Sequence, residues 1–493
     1  MKTKRLAWLP LSVSVLATGC AAPTFEQPSI DVPPQYREAQ LPVQTEWPGI
    51  EGTRWKPAAP AAPQAAGQWW LAFNDAILTA LIKEATDNNP VLTVAAARVV
   101  QARSIAVAVE ADEIPQIAIG VGTERSRQDR SLGQLSNSSL TQQTINSAGF
   151  RASYEVDLFG RVSAGTLAAK GDAESAAATF RAVLLTLQSD VAMAYFRLRT
   201  IDCELETVAQ TVRLREESVA VTQRRFDLGD IGEFDLSRAK TELATARADA
   251  IGLQRQRALT EHALAVLLGK APARYSAKPS PLVDTGDLPS IPAGLPSSLL
   301  ERRPDIVAAQ RAMEAANARI GMARSAVFPA LTINATAGGA AGTFSDVFKW
   351  SSRAWVVGAL LSAPLVDGGR NQANIRRAEG ALAESVANYR QSVLIAFSEV
   401  EDQLASLRIL AGQAQELEAA LVSARRSADL AQKLYDAGRS SYFELLDVQR
   451  NLATVERTAV QLRGSRAVAT VSLVKALGGG WEVLPAGQNI AAR

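Results

Sequence analysis

The feature that most constrains this chain is that it is written twice. Phe226-Asp-Leu-Gly229 lies above Tyr435-Asp-Ala-Gly438 at an offset of 209 residues. From there, without a gap, Phe234 meets Phe443, Asp235 meets Glu444, Leu236 meets Leu445 and Leu243 meets Leu452, and the match runs on to Leu268-Gly269 and Leu477-Gly478. Gly160-Arg161 meets Gly369-Arg370 at the same offset, while Pro90 and Pro115 meet Pro304 and Pro329 at 214. The five-residue difference falls between Pro115 and Gly160, where a loop absorbs length. A repeat of this kind implies two copies of one supersecondary unit.

Proline marks the units. Residues 116–271 and 365–484 contain none, whereas 272–304 contains seven and reads as the linker between the halves. Each half begins with a helix after Pro90 (to about Asp112) or Pro304 (to about Ala326), since proline suits a first helical turn. A pair of short strands follows. Then a very long helix covers about 161–227 or 370–436 and stops at Gly229 or Gly438. A last helix covers about 233–268 or 442–477. A helix of about 65 residues spans roughly 100 Å at 1.5 Å per residue, far beyond an ordinary globular helix. Such a rod needs lateral partners for its apolar stripe. The two shorter helices of each half, stacked end to end, could supply one, giving four helical columns per chain.

The strands alternate with period two. In 150–158, Phe150, Ala152, Tyr154, Val156 and Leu158 point one way and Arg151, Ser153, Glu155 and Asp157 the other. Residues 331–337 and 117–123 do the same, and 355–363 does so less cleanly because of Val356 and Leu360. Such alternation suits a membrane barrel or a half-buried soluble sheet. Repeat-related hairpins in an exported chain favour the barrel. Four strands cannot close one, and an open edge in lipid strands unpaired backbone groups, so the chain must oligomerise. Residues 127–146 read as a long polar hairpin loop on the outside, with 338–353 its repeat partner.

The N-terminus reads as an export signal: Met1-Lys2-Thr3-Lys4-Arg5, then an apolar Leu6–Ala17, too short to span a bilayer. It ends at Ala17-Thr18-Gly19-Cys20, which resembles the bacterial lipobox, with the usual leucine one place early at Leu16. Lipidation of Cys20 is expected, and an ordinary cleaved signal with an incidental cysteine is the alternative. Ala21 at the sorting position resembles the outer-membrane pattern. If Cys20 carries lipid, Cys203 has no partner for a disulfide. No later run reaches the length of a transmembrane helix. The boundaries are then a signal at 1–19, a lipid-anchored extended arm at 20–68, a first repeat at 69–285, a second at 286–482 and a tail at 483–493.

The chain resembles the TolC/OprM-type outer-membrane factor family, including its lipidated NodT-like branch, over about residues 69–482. The carriers are the repeat, Glu301-Arg-Arg-Pro-Asp-Ile306, Asp367-Gly-Gly-Arg370, and Tyr435-Asp-Ala-Gly438 followed by Tyr442-Phe-Glu-Leu-Leu-Asp-Val-Gln449. The resemblance implies a mainly α fold with a small β part. Long antiparallel helical hairpins would build a trimeric α-barrel, joined to a 12-stranded β-barrel with four strands per chain. It implies an outer-membrane channel of a tripartite efflux pump, a passive exit duct working with a periplasmic adaptor and an inner-membrane pump of RND type. It also implies a periplasmic constriction at Glu444 and Asp447, with Asp235 and Tyr435 in the network that holds it shut. The family's basic partner falls at Ser440, and Arg439 beside it is the substitute. Independently, Glu444 and Asp447 are three apart and share a helix face. Acids in a first helical turn also simply favour its positive end.

Chemistry of other kinds finds no purchase. The single histidine, His262, has no metal-ligand partners by spacing, and Gly338–Gly342 lacks the Lys-Ser/Thr of a phosphate loop. No enzyme motif and no cofactor is expected. The formal charge of +2 gives no field for nucleic acid. A protein-secretion duct on the same scaffold and a periplasmic coiled-coil lipoprotein are the alternative readings.

Overall fold

The computed structural model describes residues 25–28, 30, 32–39, 67–128, 141–280, 289, 291 and 299–479. The segment read as a signal, Cys20 and the segment read as a C-terminal tail lie outside the described residues. The element order is α1 (Ala76–Asn88), α2 (Pro90–Glu110), β1 (Gln116–Gln128), β2 (Thr141–Val156), α3 (Arg161–Asp227) and α4 (Glu233–Leu267). A second set follows: α5 (Leu299–Arg302), α6 (Pro304–Ser325), β3 (Ala330–Ala341), β4 (Arg353–Ser362), α7 (Arg370–Asp436) and α8 (Tyr442–Ala476). The fold is mostly helical with one small antiparallel sheet, as the sequence implies.

The chain divides into two compact units. One comprises 1–30, 97–177 and 308–390 and holds the sheet, ordered β1-β2-β3-β4. Its register explains the alternation. Across the strands, Val156 pairs with Leu331 and Leu331 with Leu361. Ile119 pairs with Phe150, Phe150 with Ala337 and Ala337 with Trp355. The apolar positions read from the sequence therefore fall on one face, because side chains of paired residues share a side of the pleat, except Leu158, which lies beyond the end of β2 at Val156. The start of each long helix is fixed by an aspartate. Asp157 accepts from the amides of Val162 (3.1 Å) and Ser163 (2.8 Å), and Asp367 from those of Gly369 (2.8 Å) and Asn371 (2.9 Å). Burial works against charge on Asp157, but the amide bonds outweigh it and hold its pKa below the usual carboxylate value.

The other unit comprises 31–96, 178–307 and 391–493. Its core gathers Trp69, Trp70, Leu78, Ile82, Val191, Leu198, Leu264, Leu268 and Val471. Here the ends of the shorter helices abut. Asn89 donates to the Leu267 carbonyl at 2.8 Å, so the start of α2 meets the end of α4. Arg303 donates to the Ala476 carbonyl at 3.0 Å, so the start of α6 meets the end of α8. Glycine is required at both junctions. Gly269 (φ 72°) and Gly478 (φ 91°) have left-handed backbone. A Cβ on Gly269 would collide with the Asn88 carbonyl, and one on Gly478 would lie 3.1 Å from the Arg302 oxygen.

The Glu301–Ile306 motif acquires a structural reason at the same junction. Arg303, buried, pairs with Asp305 at 2.7 Å and Glu399 at 2.6 Å, while Asp305 accepts from the Ile306 amide at 3.0 Å. The short turn Arg37–Ala39 docks on the same stretch of α7, its Arg37 and Glu38 amides donating to the two oxygens of Glu401 at 2.7 and 3.0 Å.

Three expectations need correcting. The polar segment 127–146 is not all loop: β1 runs to Gln128 and β2 starts at Thr141, because the polar residues pair as regularly as the apolar ones. Likewise β3 continues through Gly338 to Ala341, and only after it does the connection form two short 3-10 turns, Phe344–Asp346 and Trp350–Ser352. Finally, α2 with its following turn, Pro90–Glu113, is long and apolar enough by length and composition to cross a membrane. Within the chain it is partly covered: Leu92, Ala95 and Ala106 are buried and Glu110 pairs with Lys170 of α3 at 2.7 Å, while Val91, Val94, Val100, Ile105 and Val107 are exposed.

Candidate functional site at the helical hairpin tips

The candidate residues sit where α3 turns into α4 and α7 into α8. Both turns are made by glycines with positive φ, Gly229 (81°) and Gly438 (68°). At the second turn the Arg439 amide donates back to the Leu434 carbonyl at 2.8 Å, closing the end of α7. Helix α8 then starts with a capping box. Glu444 donates its amide to Ser441 Oγ at 3.3 Å, and the Ser441 amide donates to Glu444 Oε2 at 3.1 Å. In the isolated chain Glu444 is therefore a helix cap, which is the plainer of the two roles open to it from sequence. It is exposed all the same, as is Asp447 one turn on. Asp235 occupies the corresponding first turn of α4 and is half-buried.

Tyr435 is held across the two hairpins, its Oη accepting from Arg225 of α3 at 3.1 Å, with its ring 6.1 Å from that of Tyr442. Arg439 is exposed. Among the described residues no ion pair joins it to Asp235, Glu444 or Asp447 within the chain. Ser440 Oγ, at the position where the resemblance puts a base, is buried without a hydrogen-bond partner.

The structure adds contacts that the sequence reading missed. Tyr442 Oη lies 2.5 Å from Ser218 Oγ. Arg450 forms a two-pronged ion pair with Glu242, one arm at 2.8 Å. Arg238 stacks 4.1 Å above the Phe443 ring. Arg215, buried, donates to Gln449 at 2.8 Å, and burial lowers its pKa. Each contact ties a helix of the first repeat to one of the second. The repeat held a signal for them: Glu242 and Arg450 are 208 residues apart, one short of the offset, so repeat-related levels of α4 and α8 face each other. Among the described residues no cluster of His, Cys, Asp and Glu could hold a metal.

Comparison with known proteins matches this arrangement. The model of the family described as outer membrane efflux protein fits residues 81–270 and 295–479, one segment in each repeat. The cation efflux system protein CusC of Escherichia coli O6:H1 (strain CFT073) is 33% identical over 478 residues, covering 96% of this chain and 98% of that protein. The probable efflux pump outer membrane protein TtgC of Pseudomonas putida (strain KT2440) is 32% identical over 91% of this chain and 92% of its own. Among solved structures, a membrane protein from Pseudomonas aeruginosa superposes with a TM-score of 0.82 at 31% identity, covering 94% and 98% of the two chains. A structure of CusC does so with a TM-score of 0.79 at 30% identity, covering 94% and 100%. With its duplicated hairpins and its small sheet, the chain belongs to the outer membrane efflux protein family and is the outer-membrane channel component of an efflux pump.

Proposed function

We propose that the chain works as a lipid-anchored homotrimer, a passive and non-enzymatic exit duct that takes small solutes from a periplasmic adaptor and an RND-type inner-membrane pump. The observation that carries the trimer is the open sheet: four strands in one order, with the outer edges of β1 and β4 unpaired among the described residues. Unpaired edges in lipid cost several kcal/mol per group. Twelve strands from three copies remove every edge and leave a lumen, whereas eight leave one that side chains fill. The lipid anchor rests on Cys20 and its lipobox-like context. Exposed apolar residues at the tip, Leu228 and Phe234, offer the adaptor a surface.

The relatives' names span cations, toluene and antibiotics, which supports a duct that does not itself select its cargo. Selection then belongs to the pump.

At the tip, three-fold symmetry turns Glu444 and Asp447 into two stacked acidic rings that favour cations and narrow the opening. Because Glu444 also caps α8, alanine there would confuse gating with helix fraying. Glu444→Gln/Asp447→Asn keeps the hydrogen bonds and removes the charge. In a planar bilayer the wild type should give small, cation-selective single-channel currents. The double variant should lose the selectivity and conduct more. Equal selectivity in both would place the constriction elsewhere along the duct.

A further inference from the structure

The apolar face of the sheet ends in a basic and aromatic corner. The row Val121, Ala148, Gly339 and Arg353 is its last apolar level. Beyond it, towards the hairpin ends, the same face carries Thr123 with Asn146, Arg125 with Thr144 and Arg127 with Gln142. Among the described residues of β1 and β2 beyond that level it carries cations and no acid, since Glu124 alternates to the opposite face. Arg353 stands at the boundary. Its guanidinium lies 4.1 Å from the centroid of Trp350, which is 79% exposed, and Trp355 one step down the same face is 75% exposed. Among the described residues no carboxylate lies within ion-pair distance of Arg353. Lys349 is close in sequence, exposed, and paired only to Asp346 at 2.6 Å.

We propose that this corner binds the phosphate-bearing headgroup of an outer-leaflet lipid, with Arg353 and Lys349 on the phosphate and the acyl chains along Trp355, Val357 and Leu361. The proposal rests on the sheet standing in the outer membrane with its apolar face to lipid. Three features favour a lipid over bulk water as the neighbour. A guanidinium is a planar fork that matches two phosphate oxygens, and stacking on Trp350 preorganises it. Tryptophan is enriched where hydrocarbon meets headgroups. On the apolar face the levels below Arg353 carry no charge, while Arg353, Arg125 and Arg127 bring cations at and beyond it, which complements an anionic layer at that depth and nothing at the depth below.

The test uses the purified full-length protein, exchanged into detergent containing either lipid A, a bisphosphorylated acylated disaccharide, or its dephosphorylated form. Retained lipid is counted by native mass spectrometry. Wild type should retain lipid A about ten-fold more than the dephosphorylated lipid, and Lys349→Gln/Arg353→Gln should bring the two to equality with oligomeric mass and conductance unchanged. Equal retention of both lipids by the wild type overturns the headgroup site and leaves the membrane reading intact. Retention of neither overturns the site as well, and conductance of the same sample then decides whether the sheet inserts at all. Preference for lipid A that survives in the double variant also overturns it. The wild-type comparison stands without the variant, so a variant that failed to assemble would not shield the proposal.

Discussion

Asp202 stands between two arginines where water hardly reaches. Its carboxylate accepts from Arg199 at 2.8 Å, from Arg257 at 2.6 Å and from the Ser280 amide at 3.1 Å. The Asp202 side chain is 3% exposed, that of Arg199 6% and that of Arg257 15%. The same arginines donate to the carbonyls of Lys278 and Ala277, so the cluster binds the stretch after α4 to α3 and α4. Breaking a buried ion pair on one side leaves uncompensated charge and costs about 3–5 kcal/mol, whereas an exposed pair is worth about 1 kcal/mol or less. Asp202→Ala should therefore lower the thermal midpoint, followed by circular dichroism, by far more than Asp429→Ala, which removes the exposed partner of Arg426 and Lys433. Similar midpoints for the two variants would mean that the cluster contributes no more than a surface pair. Sequence reading missed it because its members are separated by up to 81 residues and each is an ordinary helical or linker residue alone.

At the scale of elements, what was legible was whatever proline and glycine punctuate. The bounds of α3 and α7 follow from Gly160-Arg161, Gly369-Arg370 and the stop glycines, and the structure gives the same residues. Strands β1 and β2 extend further at their hairpin ends than the alternation, which fades at Thr123 and before Ala148, because backbone pairing does not depend on it; at the other end the alternation runs on to Leu158, past the end of β2 at Val156. The residues proposed for the gate were legible only as positions in a repeat. Their cross-hairpin partners needed the fold. A packing contact shows the same limit. Gly464 in the middle of α8 reads as a weak helix position, where alanine should add about 1 kcal/mol. In the structure a Cβ there would fall on Thr200 Oγ1 and within 2.9 Å of Thr200 Cβ, on buried α3. Overpacking of this kind costs about 1–3 kcal/mol, which exceeds the propensity gain. Gly464→Ala should thus lower the thermal midpoint, while Gly412→Ala, with open space around it in α7, should raise or keep it. A rise in both would show that α3 and α8 can separate without penalty.

At the scale of the whole molecule the question is which parts see the outside of the cell. The apolar levels of the sheet run from Leu331 to Gly339, about 26 Å along the strand at roughly 3.3 Å per residue. At the roughly 35–45° tilt of outer-membrane strands that is about 20 Å of height, most of the apolar band of about 25 Å in outer-membrane barrels. Strands β1 and β2 continue past it with the polar Thr123, Arg125 and Arg127 and Asn146, Thr144 and Gln142 on the same face, so those ends must stand in water beyond the lipid. The helical connections leave from the opposite ends of the strands, at Val156 and Ser362. A single cysteine at either place distinguishes an inserted channel from a periplasmic coiled-coil lipoprotein. In a Cys203→Ser background, Gln128→Cys should react with a membrane-impermeant maleimide on intact cells. Asp447→Cys, at the proposed periplasmic tip, should react only after the outer membrane is permeabilised. Cys20, if it carries lipid, contributes no signal in either case, so the background chain alone reports on the anchor. Labelling of both sites only after permeabilisation would show a sheet that never crosses the membrane, and with it the lipid-facing reading of Arg353 would fall.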